Sequence, residues 1–476
     1  MTALERNQTA RTPYPMALAP ASAATVARDR RVYFEVFGCQ MNKLDAELML
    51  ESMIERGYAL THDASEAGVI LFNTCSIREH SEDRVYSRIG ALRRRKAAEP
   101  ELVIGLLGCI AQHREEQLLK RLPHVDLIVG TREFHRVPDL VDEVRGTHRP
   151  LVATELDSPF EFQRRRNLGP NPYQAYVSVM RGCDMVCTYC VVPTTRGKEL
   201  SRPPTEILDE CRRLADQGVR EVTFLGQTVN SYGKRLESPG VGLHTLLRGV
   251  ETIGGLERVR FITSHPRFMR PTLIEAMAQC RKSCEYLHLP VQSGSDTVLA
   301  RMKRTYTREY YLDRVERLRS AIPNLVLATD FIVGFPGETE REFEESLALI
   351  GDARIEGGYV FKYSPRPGTA SYAMVDDVPE ETKKVRHQAM LAELQRVQEA
   401  AHRRRIGCRE QVLVEGPSKS DPTRLMGRTR DFRIVVWPAG ANDKPGDLVD
   451  VVVESVTSLT LLGRRVDGAD RRAQVV

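Results

Sequence analysis

The chain has 476 residues, 41% apolar and 28% charged, which is ordinary for a globular protein and excludes a disordered or fibrous one. At roughly 150 residues per domain it has the length of about three domains and needs no disulfide staples to bury a core. Its 69 basic and 64 acidic residues leave a net charge of +5, too small to argue by itself for nucleic acid, and no run approaches the roughly 18 apolar residues of a membrane-spanning helix.

Residues 1–30 read as a disordered extension. Arg11, Arg28 and Arg30 stand among Ala, Ser and Pro, a composition shared by organellar transit peptides and bacterial tails. The charged-then-apolar order of a secretory signal is missing, so the expected location is cytoplasmic. From Arg31 the pattern alternates. Strands are expected at Val32 to Phe37, Gly68 to Asn73, Leu102 to Leu107 and Val125 to Val129. Helices are expected at Leu44 to Arg56, through Val85 to Leu92, at Arg114 to Arg121 and at Val137 to Val144. Strands alternating with helices imply an open parallel α/β domain over 31–147. Residues 148–168, with Pro150, Pro159 and the basic run Arg164-Arg165-Arg166, read as a linker.

A second alternating series occupies 169–404. Strands are expected near 175–180, 221–226, 258–263, 285–290, 325–332 and 358–363, with a charged helix over Glu380 to Arg405 at the exit. Six strand–helix units fit a partial barrel rather than a complete eight-unit one. The segment 405–468 differs. Short β-type runs at Gln411 to Glu415, Arg433 to Trp437 and Leu448 to Glu454, separated by Gly- and Pro-containing turns, read as a small all-β barrel.

Ten cysteines are too few for a disulfide scaffold, and three of them fall within eight residues. Arg181-Gly182-Cys183-Asp184-Met185-Val186-Cys187-Thr188-Tyr189-Cys190 gives the spacing C-x3-C-x2-C. Three thiolates this close suit one soft metal centre. Structural zinc and a closed ferredoxin-type cluster each want a fourth ligand, and none is nearby. Three ligands on a four-iron cluster leave one iron open to a small molecule. A second set is dispersed. Cys39, Cys75 and Cys109 each follow the C-terminal end of an expected strand, and in an open parallel sheet those ends sit side by side. Singly, each reads as a small buried hydrophobe. Three at equivalent positions read as a second three-thiolate centre. Cys280 and Cys284, at i,i+4 spacing, read as core packing on one helix face. Cys211 is expected inside a helix, and Cys408 at the start of the β-module.

The two cysteine sets together resemble one family, the methylthiotransferases of the radical S-adenosylmethionine superfamily. The motifs Gly38-Cys39-Gln40-Met41-Asn42, Gly226-Gln227-Thr228-Val229-Asn230, Ser264-His265-Pro266, His288-Leu289-Pro290-Val291-Gln292-Ser293-Gly294-Ser295 and Gly334-Phe335-Pro336-Gly337-Glu338 match, over roughly residues 31 to 468. Asp184-Met185 and Thr194 depart from the family wording, but the ligands are intact. The resemblance implies a radical-SAM partial barrel in the centre and a TRAM RNA-binding barrel at the end. It implies two 4Fe-4S clusters, one on Cys183, Cys187 and Cys190 that cleaves S-adenosyl-L-methionine, and an auxiliary one on Cys39, Cys75 and Cys109. Gln292, Ser293, Gly226, Gly334 and Gly337 are candidate contacts to S-adenosylmethionine. The implied reaction is methylthiolation at C2 of an N6-isopentenyl (dimethylallyl) adenosine beside the anticodon of tRNA, an unactivated position that a general base cannot use at neutral pH. An electron donor and a sulfur source are implied as partners, with no membrane and a monomeric chain. Sister groups act on a ribosomal-protein aspartate or on threonylcarbamoyl-adenosine, and a non-catalytic iron–sulfur RNA-binding protein is the reading from another class. The cations Lys419, Arg424, Arg428, Arg430 and Arg433, bordered by Arg403-Arg404-Arg405, are expected to suit phosphate contacts.

Overall fold

Val69–Thr74 and Val103–Gly108 are buried at every position, a pattern that only a central parallel strand covered on both faces can sustain. The computed structural model describes residues 16, 26–75, 79–115, 117–157, 164–440 and 443–466. Apart from residues 16 and 26–30, the expected extension over 1–30 lies outside them. The described chain divides into two units. One runs to Met185 and includes Val191–Leu200. The other takes Val186–Cys190 and the chain from Ser201 onward.

In the first unit, β1 (Arg31–Val36), β2 (Ala59–Leu60), β3 (Val69–Thr74), β4 (Val103–Gly108), β5 (Leu127–Val129) and β6 (Leu151–Ala153) form one sheet in the order β2-β1-β3-β4-β5-β6. Every pair is parallel. Two apolar clusters lie on it, one holding Val32, Met49, Leu71 and Val137, the other Ile70, Val85, Ile104 and Ile128. The helices differ from expectation at their starts. Gln40–Glu55 begins four residues earlier than Leu44. The helix expected over Arg114 to Arg121 is two helices, Cys109–Arg114 and Gln117–Arg121, broken where Glu115 takes a left-handed φ of 45°. The stretch 148–168 is not a free linker where it is described. Leu151–Ala153 pairs with β5 as the sheet edge. Arg164 is buried against Glu47 at 2.6 Å, and Arg166 reaches Glu51, so the basic run is pinned to the helix Gln40–Glu55 by acids on that helix. The unit also contains β7 (Gln174–Ser178) and β8 (Met180–Arg181).

In the second unit, after β9 (Leu200–Ser201), β10 (Glu221–Leu225) pairs in parallel with β11 (Arg258–Ile262). β12 (Tyr286–His288), β13 (Val326–Val333) and β14 (Gly357–Lys362) form a second parallel set. A parallel bridge between Val259 and Ser283 and a hydrogen bond from Ser264 N to His288 O carry the arc from β11 to β12. Helices Pro204–Asp216, Leu243–Glu251, Pro271–Gln279, Arg308–Ala321 and Glu340–Asp352 cover the outside, and Glu380–Arg403 is the expected exit helix. All six expected strands are present, and among the described residues the series stops at β14, short of a full barrel. Cys280 and Cys284 do not share a helix. The helix ends at Gln279, Cys280 caps it, and both thiols are buried in the turn that follows.

The C-terminal segment is a closed five-stranded barrel. β15 (Arg409–Pro417), β16 (Arg424–Thr429), β17 (Ile434–Pro438), β18 (Leu448–Val456) and β19 (Thr460–Arg465) run in the order β15-β16-β17-β19-β18 around Val412, Val435, Trp437, Val451 and Leu461. Two further strands fall outside the expected runs, because Arg424–Thr429 and Thr460–Arg465 each hold two arginines and a glycine within six residues, which breaks up the apolar pattern. The cations of this module are mostly committed within the protein. Arg428 pairs with Glu415, Arg430 with Glu285, Arg433 with Glu356 and Asp431, and Arg405 with Asp431 and Glu410. Buried Arg258 and Arg260 in turn donate to the barrel carbonyls of Arg428, Gln411, Arg430 and Thr429. Of the five expected phosphate contacts, Lys419 and Arg424 are the ones that make no salt bridge among the described residues.

Candidate metal centres

β1, β3 and β4 are neighbours, and Cys39, Cys75 and Cys109 lie three, one and one residues past their ends. Strands stand about 4.8 Å apart, so the sheet order alone brings the three together. Cys39 caps the helix Gln40–Glu55 and Cys109 opens the helix Cys109–Arg114, so two positive helix ends face the thiols. Cys75 and Cys109 are buried and Cys39 is half-buried. A hydrogen bond from Cys75 is the largest reason that the Cys39 thiol is pulled down to about 6. Burial opposes that shift, and the charge of Arg196 adds to it. Burial pushes the Cys109 thiol up, again against Arg196.

Arg196 is the central neighbour of this triplet, and the expected motifs gave it no role. It is 4% exposed and donates to Asp45 at 3.0 Å and to Asn42 at 3.3 Å, while its buried Nη1 has no acceptor among the described residues. Asp45, fully buried, also accepts from Arg181 at 2.5 Å. Asn42 ties this group to the sheet by donating to Thr74 O, and Asn73 returns a bond to Asn42 O. Two buried guanidinium groups therefore share one carboxylate, and a third, on Arg132, has no side-chain acceptor among the described residues but donates to the carbonyls of Arg196 and Lys198. Burial alone would lower the Arg196 pKa, but Asp45, Cys109 and Cys39 hold it above its usual value. Arg181 is pushed down to about 10 by burial, against Asp45, with Arg196 and Arg132 adding to the fall. A buried excess of positive charge is costly unless an anion meets it. Anionic sulfur on the three strand ends is the match.

Among the described residues, no three His, Cys, Asp or Glu side chains converge closely enough to hold one metal ion. A single zinc with bonds of about 2.3 Å needs sulfurs within about 4 Å of each other. Thiols set on separate strands suit a larger cage.

The second triplet lies on the loop from Cys183 to Cys190. Gly182 has a left-handed φ of 75°, and a Cβ there would overlap the carbonyl oxygens of Gly197 and Lys198, so only glycine fits ahead of Cys183. Cys183 N donates to Gly197 O, and Met185 N reaches Cys183 Sγ at 3.4 Å. Farther along the loop, Cys190 N donates to Cys187 O, and Thr188 anchors the turn through Met302 O and Arg301 O. Arg304 Nη1 points at Cys187 Sγ at 3.4 Å. Its other donors go to Tyr306 Oη and Pro290 O, with no carboxylate among its partners in the described residues. Against burial, Tyr306, Tyr189 and Cys187 hold Arg304 firmly protonated. Each triplet thus has an arginine set against sulfur, buried in the case of Arg196 and half-buried in the case of Arg304, which no spacing rule in the sequence announces.

The expected S-adenosylmethionine contacts lie past the C-terminal ends of β10, β12 and β13. Gly226 exchanges backbone bonds with Ile262 and Thr263. Gln292 takes a left-handed φ of 77° with its backbone bonded to Asp330 O and Ile332 N. The Ser293 hydroxyl is wholly buried and committed to Ser346 Oγ and Ser295 N. Gly334 N donates to Glu338 at 2.6 Å, and a Cβ there would overlap the Lys383 side chain, so the close approach it permits in this fold is to protein. Gly337 N donates to Asp377.

Residues 177–350 match the model of the Radical SAM superfamily, and residues 31–130 match that of "Uncharacterized protein family UPF0004". Among curated relatives, the tRNA-2-methylthio-N(6)-dimethylallyladenosine synthase of Akkermansia muciniphila is 40% identical over 451 residues, covering 91% of this chain and 98% of the relative. The protein of the same name from Bordetella avium is 42% identical over 452 residues, covering 94% of each chain. Among solved structures, the radical S-adenosylmethionine methyltransferase TsrM from Kitasatospora setae, with cobalamin and a [4Fe-4S] cluster bound, superposes with a TM-score of 0.54. It is 14% identical and covers 72% of this chain and 77% of that one, a likeness of fold. The chain belongs to the family of tRNA-2-methylthio-N(6)-dimethylallyladenosine synthases, within the radical SAM superfamily.

Proposed function

We propose that the chain methylthiolates C2 of N6-isopentenyl (dimethylallyl) adenosine beside the anticodon of tRNA, giving the 2-methylthio nucleoside. The observation that carries this reading is the pair of cysteine triplets, each beside an arginine, Arg196 or Arg304, whose charge suits anionic sulfur. Cys183, Cys187 and Cys190 would hold the cluster that works with S-adenosyl-L-methionine, and Cys39, Cys75 and Cys109 the auxiliary one. When bound, these clusters supply the electron that splits S-adenosylmethionine and the sulfur that is inserted, which is how an unactivated C–H position becomes reactive.

The chain's own residues bind, orient and exclude water. Arg196 and Arg304 compensate sulfur charge, and at buried Arg196 such pairing is strong. Asp45 fixes Arg196, and Asn42 and Asn73 lock the strand ends that carry the thiols. Gln292, Gly226, Gly334 and Gly337 line the strand ends where S-adenosylmethionine would lie, with Ser293 holding the Gln292 turn through Ser346. Residues 31–147 would form the auxiliary-cluster domain, 169–404 the radical core and 405–468 the RNA-binding barrel. The partners are tRNA bearing N6-isopentenyladenosine, an electron donor and a sulfur source. The chain is taken as a cytoplasmic monomer, and none of its described helices is long and apolar enough to cross a membrane.

Nucleoside mass spectrometry of tRNA from cells with and without the gene tests this. The 2-methylthio-isopentenyl nucleoside should vanish and its unthiolated precursor accumulate. An unchanged 2-methylthio-isopentenyl level in the deletion strain would overturn the assignment.

A further inference from the structure

The second unit holds a cavity of about 330 Å³ between the segments that follow β10 and β11. Asn230 and Lys234 line one side, Gly242 and His244 another, and Phe268 and Arg270 a third; no acidic side chain lines it. Two nine-residue helices begin at its wall, Leu243–Glu251 and Pro271–Gln279. The N–H groups of Leu243, His244 and Thr272 in their first turns have no acceptor among the described residues. His244 is held below the usual imidazole range, first by burial and then by the charges of Arg248 and Arg270. Arg270 itself is exposed and makes no ion pair among the described residues. An acid-free cavity with cations on its rim and two positive helix ends in its wall is chemistry for an anion with several acceptor oxygens.

Its position says which anion. The Phe268 ring lies 5.6 Å from that of His265, and His265 stands edge-on to Tyr306 at 5.4 Å. Tyr306 accepts from Arg304, which reaches Cys187. The cavity and the cysteine loop are thus joined by one continuous row of four side chains. The exposed cations open it outward, as suits a polymer crossing the surface rather than a small molecule enclosed by it.

We propose that this cavity binds a backbone phosphate of the substrate RNA, on a nucleotide flanking the base that is modified. The inference rests on the RNA substrate proposed above. Phosphate contacts of this kind fix register and orientation and carry no sequence information.

The test uses the full-length, anaerobically reconstituted enzyme and an anticodon stem-loop carrying N6-isopentenyladenosine. Arg270→Gln should weaken stem-loop binding about tenfold and lower the slope of log affinity against log salt by about one. Arg270→Lys should recover most of the affinity. 5′-Deoxyadenosine formation without RNA should be unchanged in both, which shows that the variants are folded. Unaltered affinity and salt slope in Arg270→Gln would overturn the proposal. So would a site for free phosphate, seen as millimolar inorganic phosphate changing wild-type turnover while Arg270→Gln binds RNA normally. Failure of the wild-type enzyme to bind or modify any stem-loop would instead strike the functional reading on which the proposal stands.

Discussion

Replacing Cys183, Cys187 and Cys190 together by alanine should cut 5′-deoxyadenosine formation by at least about 10³-fold, because no side chain can stand in for a one-electron donor. Replacing Cys39, Cys75 and Cys109 should have a different effect. That variant should still cleave S-adenosylmethionine, yet form no methylthio product. The distinction follows from the fold. Cys39, Cys75 and Cys109 belong to a sheet with its own apolar clusters, while Arg304, Tyr306 and Thr188, which hold Cys187 and its loop, belong to the other unit. Product analysis by liquid chromatography and mass spectrometry checks both. If the Cys39, Cys75 and Cys109 variant lost cleavage as completely as the other, separate roles for the triplets would be untenable.

The largest stability effect should come from Asp45. It is fully buried and is the carboxylate that Arg181 and Arg196 share, at 2.5 and 3.0 Å. Asp45→Ala removes the carboxylate that both guanidinium groups share, and breaking a buried pair in this way costs about 3–5 kcal/mol. Whole-domain stabilities are only about 5–15 kcal/mol, so the first unit should be close to unfolding. Urea unfolding followed by circular dichroism measures the loss. Asp45→Ala combined with Arg181→Met should recover part of it, since the second change removes one stranded cation. A loss below about 1 kcal/mol for Asp45→Ala would show that the cations are satisfied in another way.

The cysteine placement was legible because its signal is local. The apolar runs within Val69–Thr74 and Val103–Gly108 mark two of the strand ends, and a parallel sheet then gathers whatever follows them. The helix starts were missed at those same points. Gln40 and Cys109 begin helices with no Ser, Thr or Asp ahead of them, because the cap positions are Cys39 and Gly108. The arginines were illegible for a different reason. Arg196 and Asp45 are 151 positions apart, and nothing near either distinguishes a buried cation from a surface one. The same limit misled the reading of the terminal barrel, where Arg430 and Arg433 look like RNA contacts in sequence and are ion-paired to Glu285 and Glu356 in the fold. Arg164 and its neighbours read as a linker for the same reason, since the Glu47 and Glu51 that face them are 117 and 114 positions from Arg164 and Arg165.

Iron and acid-labile sulfide, counted per chain after anaerobic reconstitution, test the central claim most directly. The wild-type protein should hold about eight of each, either triple-alanine variant about four, and the sixfold variant none. A wild-type count near four, or a triple variant that kept all eight, would contradict two clusters on two triplets.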